Sequence, residues 1–131
     1  MTSDCCRIDD GAIYKIASAA EWREAEAGGV YLGSADDLRD GFIHFSTATQ
    51  LDVTARKYYT GRADLVLIAF GPAVLGPQLR WEPSRGGALF PHLYAPLETR
   101  LAAWVRPLPL DGDGVPCIGL VLTGATERKN A

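Results

Sequence analysis

The sequence predicts an α+β fold, a curved and mainly antiparallel sheet of five to seven strands with two principal helices, and three observations carry it. Runs of strand length recur along the chain, some alternating and one continuously apolar. Two Ser/Thr-x-x-Glu/Gln boxes open helical segments in the first half. The second half is punctuated by Gly and Pro and reads mainly as strand. The 131 residues suffice for one domain with its own core. That domain is expected over 12–123, with a flexible leader at 1–11 and a flexible polar tail at 124–131.

Residues 13–17 (IYKIA) form the first expected strand, with Lys15 at its centre. Ser18 precedes Glu21 by three, a capping box, and the helix it opens is anchored by Trp22 and ends at Gly28-Gly29. Residues 30–32 are a brief strand, and 34–40 a polar connection with room for one helical turn. Residues 41–46 (GFIHFS) form a strand with Phe42, His44 and Ser46 on one face and Ile43 and Phe45 on the other. Thr47 and Gln50 make the second capping box, starting a helix with Leu51, Ala55, Tyr58 and Tyr59 on one stripe.

The run at 64–70 (DLVLIAF) lacks alternation, so it is expected at the centre of the sheet, covered on both faces. In 79–82 (LRWE), Leu79 and Trp81 are the expected core side and Arg80 and Glu82 the opposite one. A loop, PSRGGALFP, follows. Over 101–110 strand is favoured over helix, because Pro107 and Pro109 forbid helical continuation. Asp111-Gly112-Asp113-Gly114 reads as a hairpin turn into an apolar strand at 115–123.

Composition narrows the function classes. With 47% hydrophobic and 22% charged residues, the chain has ordinary globular usage and wholesale disorder is excluded. A formal net charge of −3 and the absence of a basic run argue against nucleic acid as partner. The first residues have no apolar segment of secretory type, no run is long enough to span a membrane, and Cys5, Cys6 and Cys117 make no paired framework. A cytoplasmic protein with reduced thiols is expected.

The chain has only two histidines, so their settings matter. The bland reading of His44 is a partly buried ring satisfied by a backbone carbonyl, and that of His92 a surface turn. Against both stands the density of functional groups nearby: Glu82, Ser84, Arg85, His92 and Tyr94 fall within one short span. His44, Glu82 and His92 are therefore the candidate catalytic residues, expected to converge on one pocket. Lys15, Ser46, Ser84, Arg85 and Tyr94 are the candidate ligand-binding residues, with Arg85 at the rim. The histidines are too far apart, and the cysteines too peripheral, for a zinc site, and no metal is expected.

With these residues laid out, the chain closely resembles a bacterial family known as domain of unknown function 952. The likeness rests on IYKI (13–16), the helix with Trp22, GFIHFS (41–46) and above all WEPSRGGALFPHLYAPL (81–97), and covers roughly 12–116. More remotely, the succession of a strand with a polar centre, a helix, GFIHFS and another helix is similar to the core of ADP-ribosyltransferases and RNA 2′-phosphotransferases. That resemblance implies a split, curved sheet binding NAD in a cleft. Lys15 would stand at the ribose-contacting position, where those folds carry His or Arg. His44 would hold the ribose, Glu82 would be the late-strand acid, and Arg85 would bind pyrophosphate. Glu82 would steady the oxocarbenium character that develops as the nicotinamide–ribose bond breaks. The rival expectation is a non-catalytic module binding a small anionic or nucleotide ligand in the same pocket. A third is a protein-interaction domain in which FPHLY is only a structural corner.

Overall fold

The computed structural model describes residues 11–84 and 87–123. Expectations for the leader and tail, for Cys5 and Cys6, and for Arg85 lie outside the described residues, and Cys117 is a free thiol.

The longest apolar runs set the main sheet. β1 (Ile13–Ser18) and β5 (Leu65–Phe70) pair antiparallel along their full lengths, from Ile13 opposite Phe70 to Ser18 opposite Leu65. β4 (Ser46–Thr47) and β9 (Trp104–Leu108) complete the order β4-β1-β5-β9, so the unbroken run of β5 is interior, as its composition requires. Pro107 falls in β9 on the edge, where a missing N–H leaves no gap in the ladder. Both faces of the sheet are covered. Ile13, Ala17, Ile68 and Phe70 pack with Trp22 of α1 (Ala19–Gly28), while Tyr14, Ile16, Leu65 and Leu67 pack with Leu51 and Ala55 of α3 (Ala48–Tyr59).

The helix signals act as read, with one reduction. Ser18 Oγ accepts the Glu21 N–H at 3.2 Å, but only this half of the expected box is made. Gly29 closes α1 with φ 88°, a left-handed conformation that favours glycine. Gln50 reaches back to the Thr47 N–H at 3.0 Å. The expected connection at 34–40 is a helix, α2 (Ala35–Asp40), with a reciprocal box between Ser34 and Asp37.

Several expectations are corrected. Among the described residues nine strands form three antiparallel sheets, of four, two and three strands, where one curved sheet is read from the sequence. The two-stranded sheet joins β2 (Val30–Tyr31) to β8 (Leu97–Glu98), and the three-stranded one sets β3 (Ile43–His44) beside β7 (Leu89–Leu93) and β7 beside β6 (Leu79–Pro83). GFIHFS divides between two of them: β3 pairs with β7, whereas β4, past Phe45, pairs with β1. The supposed loop after Glu82 begins and ends in strand: Pro83 closes β6, Leu89 opens β7, and the two strands pair antiparallel. Trp81 lies across from Pro91 at the middle of this strand pair and is 44% exposed, not core. Tyr58 leaves the buried stripe of α3 and is half exposed.

Finally, the run at 115–123 is a strand only in prospect. The Asp111 turn forms, with Asp111 Oδ1 accepting the N–H groups of Asp113 and Val115, and Leu110 bridges Pro116. The chain then becomes α5 (Ile118–Thr123), which buries Ile118 and Val121 at helical spacing against the α3 side of the core. Besides these helices only a four-residue turn, α4 (Pro72–Leu75), and short 3₁₀ segments occur among the described residues. None of the helices is long and apolar enough to cross a membrane.

If β5 is the buried centre, Leu67→Ala should lower unfolding free energy by about 2–5 kcal/mol. Val105→Ala, on the edge strand and 37% exposed, should stay within about 0.5 kcal/mol of the parent. Urea denaturation of the two variants checks the contrast.

Candidate functional site

The division of GFIHFS creates the site. β4 covers only Ile13 and Tyr14 of β1, so Lys15 is the first residue of that strand with no β4 partner. One step back along the chain, His44 has already joined the other sheet, directly opposite His92. A cleft of ≈ 310 Å³ opens between, lined by Lys15, His44, Ser46, Ser84 and His92, together with residues of α2 and the end of α3. The alternation read from sequence survives the division: Ile43 and Phe45 are buried in the core while His44 and Ser46 line the cleft.

Asp37 organises one wall. It lies in the first turn of α2, is 2% exposed, and its carboxylate accepts from Lys15 Nζ at 2.7 Å and from the Ser34 N–H at 2.9 Å through Oδ2. Oδ1 accepts from the His44 backbone N–H at 3.2 Å and stands 2.6 Å from His44 Nδ1. Burial by itself would raise this carboxyl's pKa. The hydrogen bond from His44 and the charge and hydrogen bond of Lys15 outweigh burial and hold it well below the usual carboxylate range. Lys15 is held below the ordinary lysine value by burial, with Asp37 opposing. Gly33 makes this packing possible: a Cβ there would lie 2.6 Å from that of Asp37, and its φ of 117° favours glycine. The second nitrogen of His44, Nε2, faces Asp40 Oδ2 at 3.0 Å.

His92 organises the other wall. It sits on β7, 5% exposed, with Nδ1 2.8 Å from Glu82 Oε1. Tyr94 donates its hydroxyl to the same oxygen at 2.8 Å. The hydrogen bonds from His92 and Tyr94 lower the Glu82 pKa, and Glu82 in turn raises that of Tyr94. A carboxylate accepts only, so Nδ1 carries the proton, and Nε2 makes no hydrogen bond among the described residues. The ring of Phe42 stacks on His92 with centroids 4.1 Å apart and tilts against His44 at 4.6 Å, while the two imidazoles are 5.4 Å apart edge to face.

Of the sequence candidates, His44, His92, Lys15, Ser46 and Ser84 therefore share one cleft. Glu82 and Tyr94 reach it through His92, standing behind the ring and not on the lining. Sequence reasoning passed over Asp37, Asp40, Thr54 and Arg62, and placed Phe42 on the face of His44 and Ser46 without giving it a role in the site. The Ser34-x-x-Asp37 spacing was a usable signal for Asp37, since it is a capping box with Asp in the acidic position. Arg62 follows the end of α3, lines the cleft, and lies over the Tyr59 ring at 5.1 Å with no ion pair among the described residues.

The family model described as Protein of unknown function (DUF952) matches residues 16–105, which include both histidines. The crystal structure of protein CC0527 from Caulobacter crescentus is 52% identical, with a TM-score of 0.82 over 85% of this chain and 97% of that one. The solution NMR structure of CC0527 gives a TM-score of 0.76 at 52% identity, over 83% and 94% of the two chains. No curated protein matches the chain.

Asp37→Ala should cost about 3–5 kcal/mol of stability, because it strands a buried ammonium. The folded pKa of Asp37 lies below its unfolded value of about 3.9, so this contribution is fully present above that pH and is lost as pH falls through the lowered folded value. Urea unfolding followed as pH is lowered through and below the ordinary carboxylate range should show a steeper acid loss in the parent than in Asp37→Asn.

Proposed function

The chain belongs to the DUF952 family, whose name carries no activity, and we propose its function from the site alone: the cleft binds a small ligand bearing an anionic group. The observation that carries this reading is the pair His92 and Arg62. Among the described residues His92, on the lining of the cleft, has one nitrogen held by Glu82 and no hydrogen bond at the other, and Arg62 lines the same cleft with no ion pair. An arginine fork donates to carboxylate or phosphate oxygens, and His92 Nε2, which holds a lone pair while Nδ1 carries the proton, accepts from a protonated oxygen of the same group or, as imidazolium, donates to the anion. The other cations of the lining are committed: Lys15 to Asp37, and Arg39 to Asp36 and Asp40 at 2.9 and 3.1 Å.

This favours the binding module over NAD-dependent transfer. Transfer as read from the remote resemblance asks Lys15 to meet a ribose and Glu82 to face the reacting carbon. Lys15 is spent on Asp37, and Glu82 is turned to His92 and Tyr94. His92 backed by Glu82 is still a suitable proton acceptor, so a reaction on the bound ligand would run through this ring.

Calorimetric titration with inorganic phosphate, ADP-ribose and NAD tests the proposal. Binding of at least one of the three is expected, weakened about tenfold or more in Arg62→Ala and in His92→Ala, which is 1.4 kcal/mol or more per group. Equal affinity in both variants and the parent would sink it. Nicotinamide released from NAD by the parent but not by Glu82→Gln would restore the transferase.

A further inference from the structure

Beneath the cleft lies a second cavity of ≈ 50 Å³, lined by Tyr14, Ile16 and Leu51 and sharing Lys15, His44, Ser46, Thr54 and Tyr59 with the space above. A water molecule needs about 10–15 Å³ of cavity so measured, which leaves room for roughly three to five non-hydrogen atoms. Phosphate, with five, stands at the limit of that space.

Its polar lining is more selective still. Lys15 is 4% exposed, and Asp37 is the one hydrogen-bond partner of its Nζ among the described residues. An ammonium has three N–H donors, so two are left to the cavities that Lys15 lines. Buried donors without acceptors are costly, and an occupant that supplies an acceptor is favoured. The two basic residues of this lining are already taken up: Lys15 faces Asp37 at 2.7 Å, and His44 faces Asp37 and Asp40 through its two nitrogens. A second carboxylate in this space would be a buried anion without a counter-charge of its own, whereas a carbonyl oxygen accepts from the ammonium and adds no charge. Ser46, whose hydroxyl donates to Thr54 Oγ1 at 3.3 Å, keeps an acceptor side for an amide N–H. The aliphatic side chains of Ile16 and Leu51 suit a short carbon stem.

We infer that this inner cavity is a subsite for a neutral carbonyl group, with a primary carboxamide the best fit. The inference rests on the cleft being a ligand site and narrows its ligand to a class: small molecules with an amide or acyl end, held below, and an anionic end, held at Arg62.

Two probes taken separately test it, acetamide for the inner cavity and inorganic phosphate for the mouth, each titrated into ¹⁵N-labelled full-length protein and followed by NMR. Acetamide should shift the backbone amides of Tyr14, Ile16 and Leu51, which line the inner cavity and not the cleft above it, and should do so at lower concentration than acetate, its isosteric anion. Leu51→Phe, which enlarges a side chain that lines the inner cavity alone, should weaken acetamide about tenfold by steric exclusion and leave phosphate binding unchanged. Acetate that shifts these three amides as readily as acetamide overturns the neutral-group assignment, and so does acetamide binding that survives Leu51→Phe or never reaches these three amides. The comparison of acetamide with acetate needs no variant, so it decides the matter even if Leu51→Phe does not fold. Acetamide bound as described with no phosphate binding at all would remove the proposal for the mouth while supporting the subsite.

Discussion

The carboxylate of Asp37 accepts from three segments that are distant in the chain: the centre of β1 through Lys15, the turn before α2 through Ser34, and the end of β3 through His44. Its four hydrogen bonds match the lone-pair capacity of an ionised carboxylate. None of the partners holds its position alone. Lys15 is an ammonium inside a sheet, α2 is too short to persist without its cap, and β3 is only two residues long. Removing the carboxylate would release all three at once, whereas removing any one partner leaves the others joined. The cleft is thus as much a product of this one residue as of the sheets beside it.

A chain that moves from one sheet to another in the middle of a strand must lose pairing where it crosses, and here the loss falls at Phe45. The backbone N–H of Phe45 finds the Pro91 carbonyl at 3.0 Å, and its side chain packs edge-on to Phe70 at 5.5 Å. The crossing is therefore anchored in the core while the side chains flanking it, His44 and Ser46, point to the gap. The same two histidines that lie far apart in sequence become direct neighbours across a ladder, with Phe42 laid over both rings.

Much of this was legible from local rules. Periodicity located β1, β5 and the faces of GFIHFS, because side-chain alternation depends only on the strand and not on its partner. Partner choice is a tertiary matter, which is why the division at Phe45 left no local mark. Asp37 was hidden by its company: ADDLRD has the composition of a solvated helix, and the capping spacing from Ser34 marks one of its three acids as a cap but not as a buried partner of Lys15. His92 was placed after a loop because Gly, Gly and Pro crowd its approach, yet Pro91 is tolerated in β7 where it lies just past the reach of β3. The closing helix was missed because a short apolar run fits strand and buried helix equally well, and α5 resolves it by burying every third residue, Ile118 and Val121.

The pairing of β1 with β5 also has a bearing on how the molecule comes to be folded. These strands meet only after the whole of 19–64 has been looped out, a closure that costs roughly 3 kcal/mol of chain entropy beyond a constant. During synthesis β1 emerges first and must wait for β5, while α1 and the start of α3 can form within their own segments. Lys15 waits with it, charged and in water. Its burial is deferred until the partner strand and Asp37 are both on hand, so the desolvation of this ammonium is postponed until its compensation can be built.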